Sequence, residues 1–249
     1  MRGPPATDTQ RADDCMKTAE TARTAKRILI VDDHPLICRG LAQVIDQEGD
    51  LRVCGDAGDI NDAMKKIESL APDLVVVDIS LKSSSGIDLI KAVRARNPRL
   101  PAIVYSMHDE SVYAERALRA GAKGYVMKDR PAEVLISAIR KVLDGNKFFS
   151  DEVISRILGR IAEEPPGNAG DPIARLTDRE LEVFQLMGRE LKTAQIAKKL
   201  NISVKTVEAH REHIRKKLDI ENSHELARRA REWVTSSPRP PSPIGEGGA

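Results

Sequence analysis

RILIVDDHPL, residues 27–36, sets the fold. Four apolar, largely β-branched positions follow one another without alternation, then come two adjacent carboxylates, then a His-Pro pair that opens a helical pattern. An apolar run without a period of two suits a strand buried on both faces of a parallel sheet. The same grammar returns four more times, in Arg52–Gly55 (RVCG), Leu74–Val77 (LVVV), Ala102–Tyr105 (AIVY) and Gly124–Met127 (GYVM). Between these runs lie helical patterns over Pro35–Glu48, Ile60–Leu70, Gly86–Arg96, Ser111–Ala120 and Pro131–Leu143. Five βα units in succession require right-handed crossovers, which predicts an α/β fold with a doubly wound, parallel, five-stranded sheet. Ligands of such sheets sit outside the carboxyl ends of the strands.

The chain of 249 residues is long enough for two domains, and its 41% hydrophobic and 31% charged residues are a globular balance. Aromatics make up only 3%, so the cores must be built from Leu, Ile, Val and Ala. Cys15, Cys38 and Cys54 are odd in number and lack CxxC spacing, which suits a reducing cytoplasm. No apolar run approaches the roughly 18–20 residues of a membrane span, and the opening MRGPPATDTQRADD has no apolar core of a signal peptide. Charge is uneven along the chain: Lys26 to Asp144 holds 18 basic and 18 acidic residues, whereas Arg175 to Val234 holds 14 against 10. A basic second segment is where a polyanion would bind. Residues 1–25 read as a disordered extension, 26–145 as the α/β domain, 146–173 as a helical extension and linker, 174–234 as a small all-α domain, and 235–249 as a disordered tail. Within the linker, LGRIAEEPPGNAGD (158–171) is the Pro/Gly-rich stretch.

Asp32 and Asp33 follow the first strand and Asp78 follows the third. A sheet that sets those strands side by side points all three carboxylates into one crevice, where they repel unless a cation joins them. Hard oxygen donors of this kind suit Mg2+, usually shared with a phosphate. Lys128 closes the fifth strand at the same edge, where its ammonium can meet a phosphoryl oxygen or Asp78 itself, and Ser106 adds a hydroxyl from the fourth.

With VDDHPL (31–36), VVVDIS (75–80), Ser106 and GYVMKD (124–129), residues 26–145 resemble the CheY-like receiver domain of two-component response regulators. The resemblance implies that Asp78 takes a phosphoryl group from a phosphohistidine on a sensor histidine kinase. It implies Mg2+ held by Asp33, Asp78 and the backbone carbonyl of Ser80, with Asp32 assisting through water. It also implies that Ser106 turns toward the acyl phosphate and that Tyr125 follows it inward. Two positions depart from the family pattern: Leu81-Lys82 stand where Met-Pro is common, and Lys128-Asp129 where Lys-Pro is common.

In the second segment, LTDRELEVFQLM (176–187) carries Thr177 and Glu180 at capping-box spacing. TAQIAKKL (193–200) is a short helix, Asn201-Ile202-Ser203 a tight turn with Ser203 placed to cap, and VKTVEAHREHIRKKL (204–218) a longer helix. That helix buries Val207, Ile214 and Leu218, and its opposite face carries Lys205, Glu208, Ala209, Glu212 and Lys216. A short helix, a tight turn and a long helix with a polar face describe a helix-turn-helix, followed here by a closing helix over Ser223–Val234. LTDRELEV, QIAKKLNISVKTVEAH and RKKL resemble the LuxR-type helix-turn-helix, and the whole chain is similar to the NarL/FixJ family.

The resemblance implies a phosphorylation-controlled transcription regulator that binds double-stranded DNA, dimerises when phosphorylated, and is not an enzyme, with RNA polymerase as a further candidate partner. Lys205, Thr206, Arg211, Lys216 and, less directly, Lys192 are candidates for phosphate contacts. Glu208, Ala209 and Glu212 sit where base edges are read, although the two glutamates can equally pair with Arg211, Arg215 or Lys216 along the helix. His210 and His213 lack a second ligand pair and do not read as a metal site, and His210, on the buried stripe with Val207 and Ile214, reads as a packed histidine. His34 and His108 read as loop residues. Two other functions fit part of the pattern. One is a DNA-binding regulator whose receiver is never phosphorylated. The other is a Mg2+-dependent aspartyl-phosphate phosphatase, whose DxD after the first strand is not matched by Asp32-Asp33. Coupling is expected through the receiver covering the long helix or a dimer face until phosphorylation releases it.

Overall fold

A computed structural model describes residues 25–81, 84–163 and 172–236. The expected extension before residue 25, the tail after 236, Cys15, Lys82 and the linker core 164–171 lie outside the described residues. Strands β1 (Lys26–Val31), β2 (Leu51–Ala57), β3 (Leu74–Val77), β6 (Ala102–Ser106) and β7 (Gly124–Met127) form a parallel sheet in the order β2-β1-β3-β6-β7. A small hairpin of two-residue strands, β4 (Ser80–Leu81) and β5 (Ser84–Ser85), which no sequence pattern announces, stands apart from the sheet. Helices α1 (Pro35–Asp46) and α5 (Ala132–Leu143) cover one face, and α2 (Ile60–Leu70), α3 (Gly86–Arg96) and α4 (Glu110–Ala120) the other.

The alternation hidden in the apolar runs explains the two layers. Leu29, Val31, Val75, Val77 and Val104 pack on Met64, Ile67, Ile90, Val93 and Ala117, while Ile28, Ile30, Val76, Ile103 and Tyr105 pack on Leu41, Ile45, Ile136 and Ile139. Successive strand residues point to opposite faces, and here both faces are dry. Beyond β7, Phe148 donates its N–H to Lys123 O and accepts from Tyr125 N, each at 2.8 Å, and so covers the edge of the sheet.

Boundaries moved where capping outweighs pattern. Helix α4 begins at Glu110 because the Asp109 carboxylate accepts from Ser111 N at 2.8 Å. Helix α6 (Asp151–Glu163) runs well into the stretch expected as linker. Gly159 alone costs a helix only about 1 kcal/mol relative to Ala, and the first proline comes at 165. The last helix, α10 (Ser223–Ser236), likewise outlasts the expected start of the tail, its final hydroxyls donating to Arg231 O and Trp233 O.

After a short 3-10 turn (Pro172–Arg175), α7 (Asp178–Gly188), α8 (Thr193–Lys199) and α9 (Val204–Lys217) build the second domain with α10. The capping box of Thr177 and Glu180 is formed. Asn201 takes the left-handed turn conformation (φ 51) that its short side chain tolerates. Leu181, Phe184, Ile196, Val207, Ile214, Leu226 and Ala230 fill the core. Helices α7 and α10 approach so closely that a Cβ on Gly188 would lie 2.3 Å from Ala230 O.

Candidate functional site

Val31 and Val77 are register partners in adjacent parallel strands, so Asp32 and Asp78 leave the sheet side by side. Ser106 pairs with Met127, which brings Lys128 to the same edge. Ser106 Oγ donates to Asp78 Oδ1 at 2.6 Å, and Lys128 Nζ bridges Asp78 Oδ2 at 2.7 Å and Asp32 Oδ2 at 2.5 Å. Asp32 and Asp78 are buried and Ser106 is fully so. Burial pulls the Lys128 ammonium toward neutrality, yet the carboxylates of Asp78 and Asp32 outweigh it and hold its pKa above the usual lysine value. The backbone at Asp78 is fixed from below: its N–H donates to Val31 O at 2.8 Å, and Gly86 sits so close that a Cβ there would fall 1.9 Å from Asp78 O.

Asp33 joins this edge. Ligand atoms of Asp32, Asp33 and His34 lie within 4.8 Å of one another, with His34 Nδ1 at 3.1 Å from Asp32 and 2.9 Å from Asp33. The carboxylate oxygens of Asp32 and Asp33, beside Asp78 at the same edge of the sheet, are hard donors that fit Mg2+. The imidazole of His34 is exposed and can swing aside without disturbing the core. Tyr125 is turned inward, buried, with its hydroxyl donating to His108 O at 2.8 Å; burial drives its phenol well above the ordinary range.

Two loop histidines prove more engaged than their sequence context suggested. His34 rests on the acidic pair. His108 Nε2 lies 2.8 Å from Ser80 Oγ and 3.3 Å from Glu182 in α7, a contact from one domain to the other. Around it, Arg116 donates to Leu176 O (2.7 Å), Ile173 O (2.9 Å) and Asp178 (3.3 Å), and Tyr113 to Gln185 (3.3 Å). Sequence reasoning missed this interface, because ion pairs between distant segments leave no local pattern.

On the second domain, Lys205, Thr206, Glu208, Ala209 and Lys216 are exposed on α9, and Lys192 is exposed just before α8. The receiver therefore docks on α7 and leaves this face of the long helix uncovered, so of the two expected modes, covering that helix or covering a dimer face, the first is not the one this structure shows. Arg211 is held by α8, donating to Thr193 Oγ1 at 2.8 Å. Glu212 is gripped by Arg215 through both oxygens (2.8 and 3.0 Å) with Lys216 at 3.6 Å, which is the helix-surface pairing. Glu212 is half-exposed, and the Arg215 hydrogen bond keeps its carboxyl below the usual range. His210 is half-buried beside the cleft between the domains, and His213 is exposed. Among the described residues, no helix is long and apolar enough to cross a membrane.

An acidic pocket with its lysine and serine at one sheet edge, joined to a basic helix-turn-helix, defines a two-component response regulator. Residues 28–140 match the response regulator receiver domain, and residues 174–230 match the bacterial regulatory proteins of the luxR family. The chain belongs to the response regulators that carry a LuxR-type DNA-binding domain, a family of transcription regulators rather than of classical enzymes. It is 32% identical over 204 residues to the oxygen regulatory protein NreC of Staphylococcus carnosus (strain TM300), spanning 80% of this chain and 94% of the relative. Among solved structures it is similar to RcsB of Salmonella enterica serovar Typhimurium bound to promoter rprA in the presence of the phosphomimetic BeF3-. That match has 27% identity, a TM-score of 0.53, and covers 85% of this chain and 99% of the other. A LuxR-family response regulator from Aurantimonas sp. SI85-9A1 matches at 30% identity and TM-score 0.51, over 56% of this chain and 99% of that one.

Proposed function

We propose that Asp78 is the phosphoacceptor of this cytoplasmic regulator, charged by a sensor histidine kinase, and that the phosphorylated chain binds double-stranded DNA as a homodimer. The observation that carries this reading is the buried Asp78 carboxylate, held at one oxygen by the Ser106 hydroxyl and at the other by the Lys128 ammonium. An Asp78 oxygen attacks phosphorus in line, the new O–P bond forming as the phosphohistidine P–N bond breaks and the imidazole leaves with the electron pair. Lys128 pairs with the arriving phosphoryl oxygens, and the Ser106 hydroxyl shifts from the carboxylate to the phosphoryl group. Asp32, Asp33, Asp78 and the Ser80 carbonyl would hold Mg2+, which supplies charge neutralisation for the transferred oxygens.

In the DNA-binding domain, assigned to 174–234, Lys205, Thr206, Lys216, Arg211 and Lys192 supply phosphate contacts, and Glu208 and Ala209 face base edges. Glu212 reads a base only by giving up its pairing with Arg215. Support comes from the exposure of this face and from the promoter-bound RcsB relative. The test is intact mass after incubation with acetyl phosphate and Mg2+. One phosphoryl adduct is expected on the wild type and none on Asp78→Asn; adducts on both, or on neither, contradict the assignment.

A further inference from the structure

Glu182 belongs to the DNA-binding domain, yet its carboxylate is spent on the receiver. It lies in α7, is 2% exposed, and accepts from Ser80 Oγ at 3.1 Å while standing 3.3 Å from His108 Nε2. Within its own domain it accepts from Arg179 at 2.5 Å. Both receiver partners sit two residues from the phosphoacceptor chemistry: Ser80 after Asp78, and His108 after Ser106, whose hydroxyl is bonded to Asp78. Two residues of chain span at most about 7 Å, so Glu182 grips the two loops that flank the acceptor. His108 ties them further, since its carbonyl accepts from the inward Tyr125 hydroxyl and its ring is bonded to Ser80.

We propose that Glu182 is a positioning residue of the phosphoacceptor site, supplied in cis by the DNA-binding domain, which pins Ser80 and His108 and opposes phosphorylation of Asp78. The inference rests on Asp78 being the phosphoacceptor. Two physical effects give its direction. A phosphoryl group brings roughly −1.5 to −2 charges to a site beside a buried carboxylate, and like charges in a poorly screened place repel. The loop after β6 and the hairpin after Asp78 must also rearrange around the new group, and a buried acceptor joining both resists that. Reciprocity follows: whatever free energy docked Glu182 takes from phosphorylation, phosphorylation takes from the docking of α7. Of the other docking contacts, those of Arg116 and Ser85 touch neither of these loop side chains, and Tyr113, which donates to Gln185, meets only the His108 ring at 4.6 Å, whereas Glu182 bonds Ser80 and pairs with His108 directly.

The experiment is a time course of acetyl-phosphate labelling of the full chain with Mg2+, followed by intact mass. Glu182→Gln keeps the shape and removes the charge, and is expected to label about tenfold faster than the wild type, in the usual range of coupling between sites. In a His108→Gln background, Glu182→Gln should add much less, because the two act through one contact. That loss of additivity would not arise from a merely structural role in α7. Ser80→Ala, which removes the hydroxyl and keeps the backbone carbonyl, serves as the receiver-side variant if the α7 change impairs folding, and should also label faster. Labelling of wild type, Glu182→Gln and Ser80→Ala at equal rates overturns this inference alone. Absence of any adduct on all three overturns the phosphoacceptor assignment and this inference with it.

Discussion

Helices α7 and α9 belong to one small domain and treat their charges in opposite ways. Helix α7 buries Asp178, Glu180 and Glu182, at 6%, 4% and 2% exposure, whereas α9 holds Lys205, Glu208 and Lys216 out in solvent. Buried carboxylates persist only with partners, and each has them: Arg116 and Ser85 for Asp178, Lys217 and the Thr177 N–H for Glu180, Arg179, His108 and Ser80 for Glu182. All three also lie near the N-terminal end of α7, where the helix dipole favours negative charge. Burial tends to raise the Glu182 carboxyl, but the His108 and Arg179 interactions prevail and keep it ionised below the usual range. The domain is thus polarised, with an acidic helix turned to the receiver and a basic face left open. With DNA contacts assigned to α9 as proposed, docking and DNA binding use different surfaces, and control of one by the other has to run through how α7 is held and not through simple masking of α9.

The largest effect that would break this contrast is a cavity under α7. Phe184→Ala removes a fully buried ring packed 5.8 Å from Trp233 and should cost the second domain about 3–5 kcal/mol, read by denaturant unfolding. The receiver's labelling by acetyl phosphate should persist, because none of the acceptor residues belongs to that core. A smaller loss, about 1 kcal/mol, is expected for Thr177→Ala, which strips the capping box at the very end of α7 that meets the receiver. On α9 the expectation reverses. Lys205→Ala should leave stability within about 0.5 kcal/mol while weakening binding to a random-sequence duplex and lowering the salt slope by about 1. A stability loss at Lys205 comparable to that at Thr177 would show that the two helices are not differently used.

Much of this was legible in the sequence because it is local. The runs LVVV and GYVM were short enough to fix strands to the residue, and Thr177 with Glu180 announced the start of α7. The grouping of Asp32, Asp33, Asp78, Ser106 and Lys128 at one place was legible because a parallel sheet delivers every strand end to one edge. What was not legible depends on contacts between distant segments. Glu182 carries no mark distinguishing it from an exposed helix acid, and its partners lie 102 residues away in the case of Ser80. The end of α6 was not legible for a different reason: it runs past Gly159 to Glu163, because a single glycine is too weak a perturbation to end a helix before the prolines at 165 and 166.

Hydrogen exchange across α7, compared with and without beryllofluoride and Mg2+, tests the coupling of the two domains most directly. Occupancy of Asp78 by the phosphoryl mimic should raise exchange in residues 176–188 of the wild-type chain and leave Asp78→Asn unchanged. Identical exchange in the wild type with and without the mimic, in protein that acetyl phosphate labels at Asp78, would contradict the view that the acceptor site and α7 are joined.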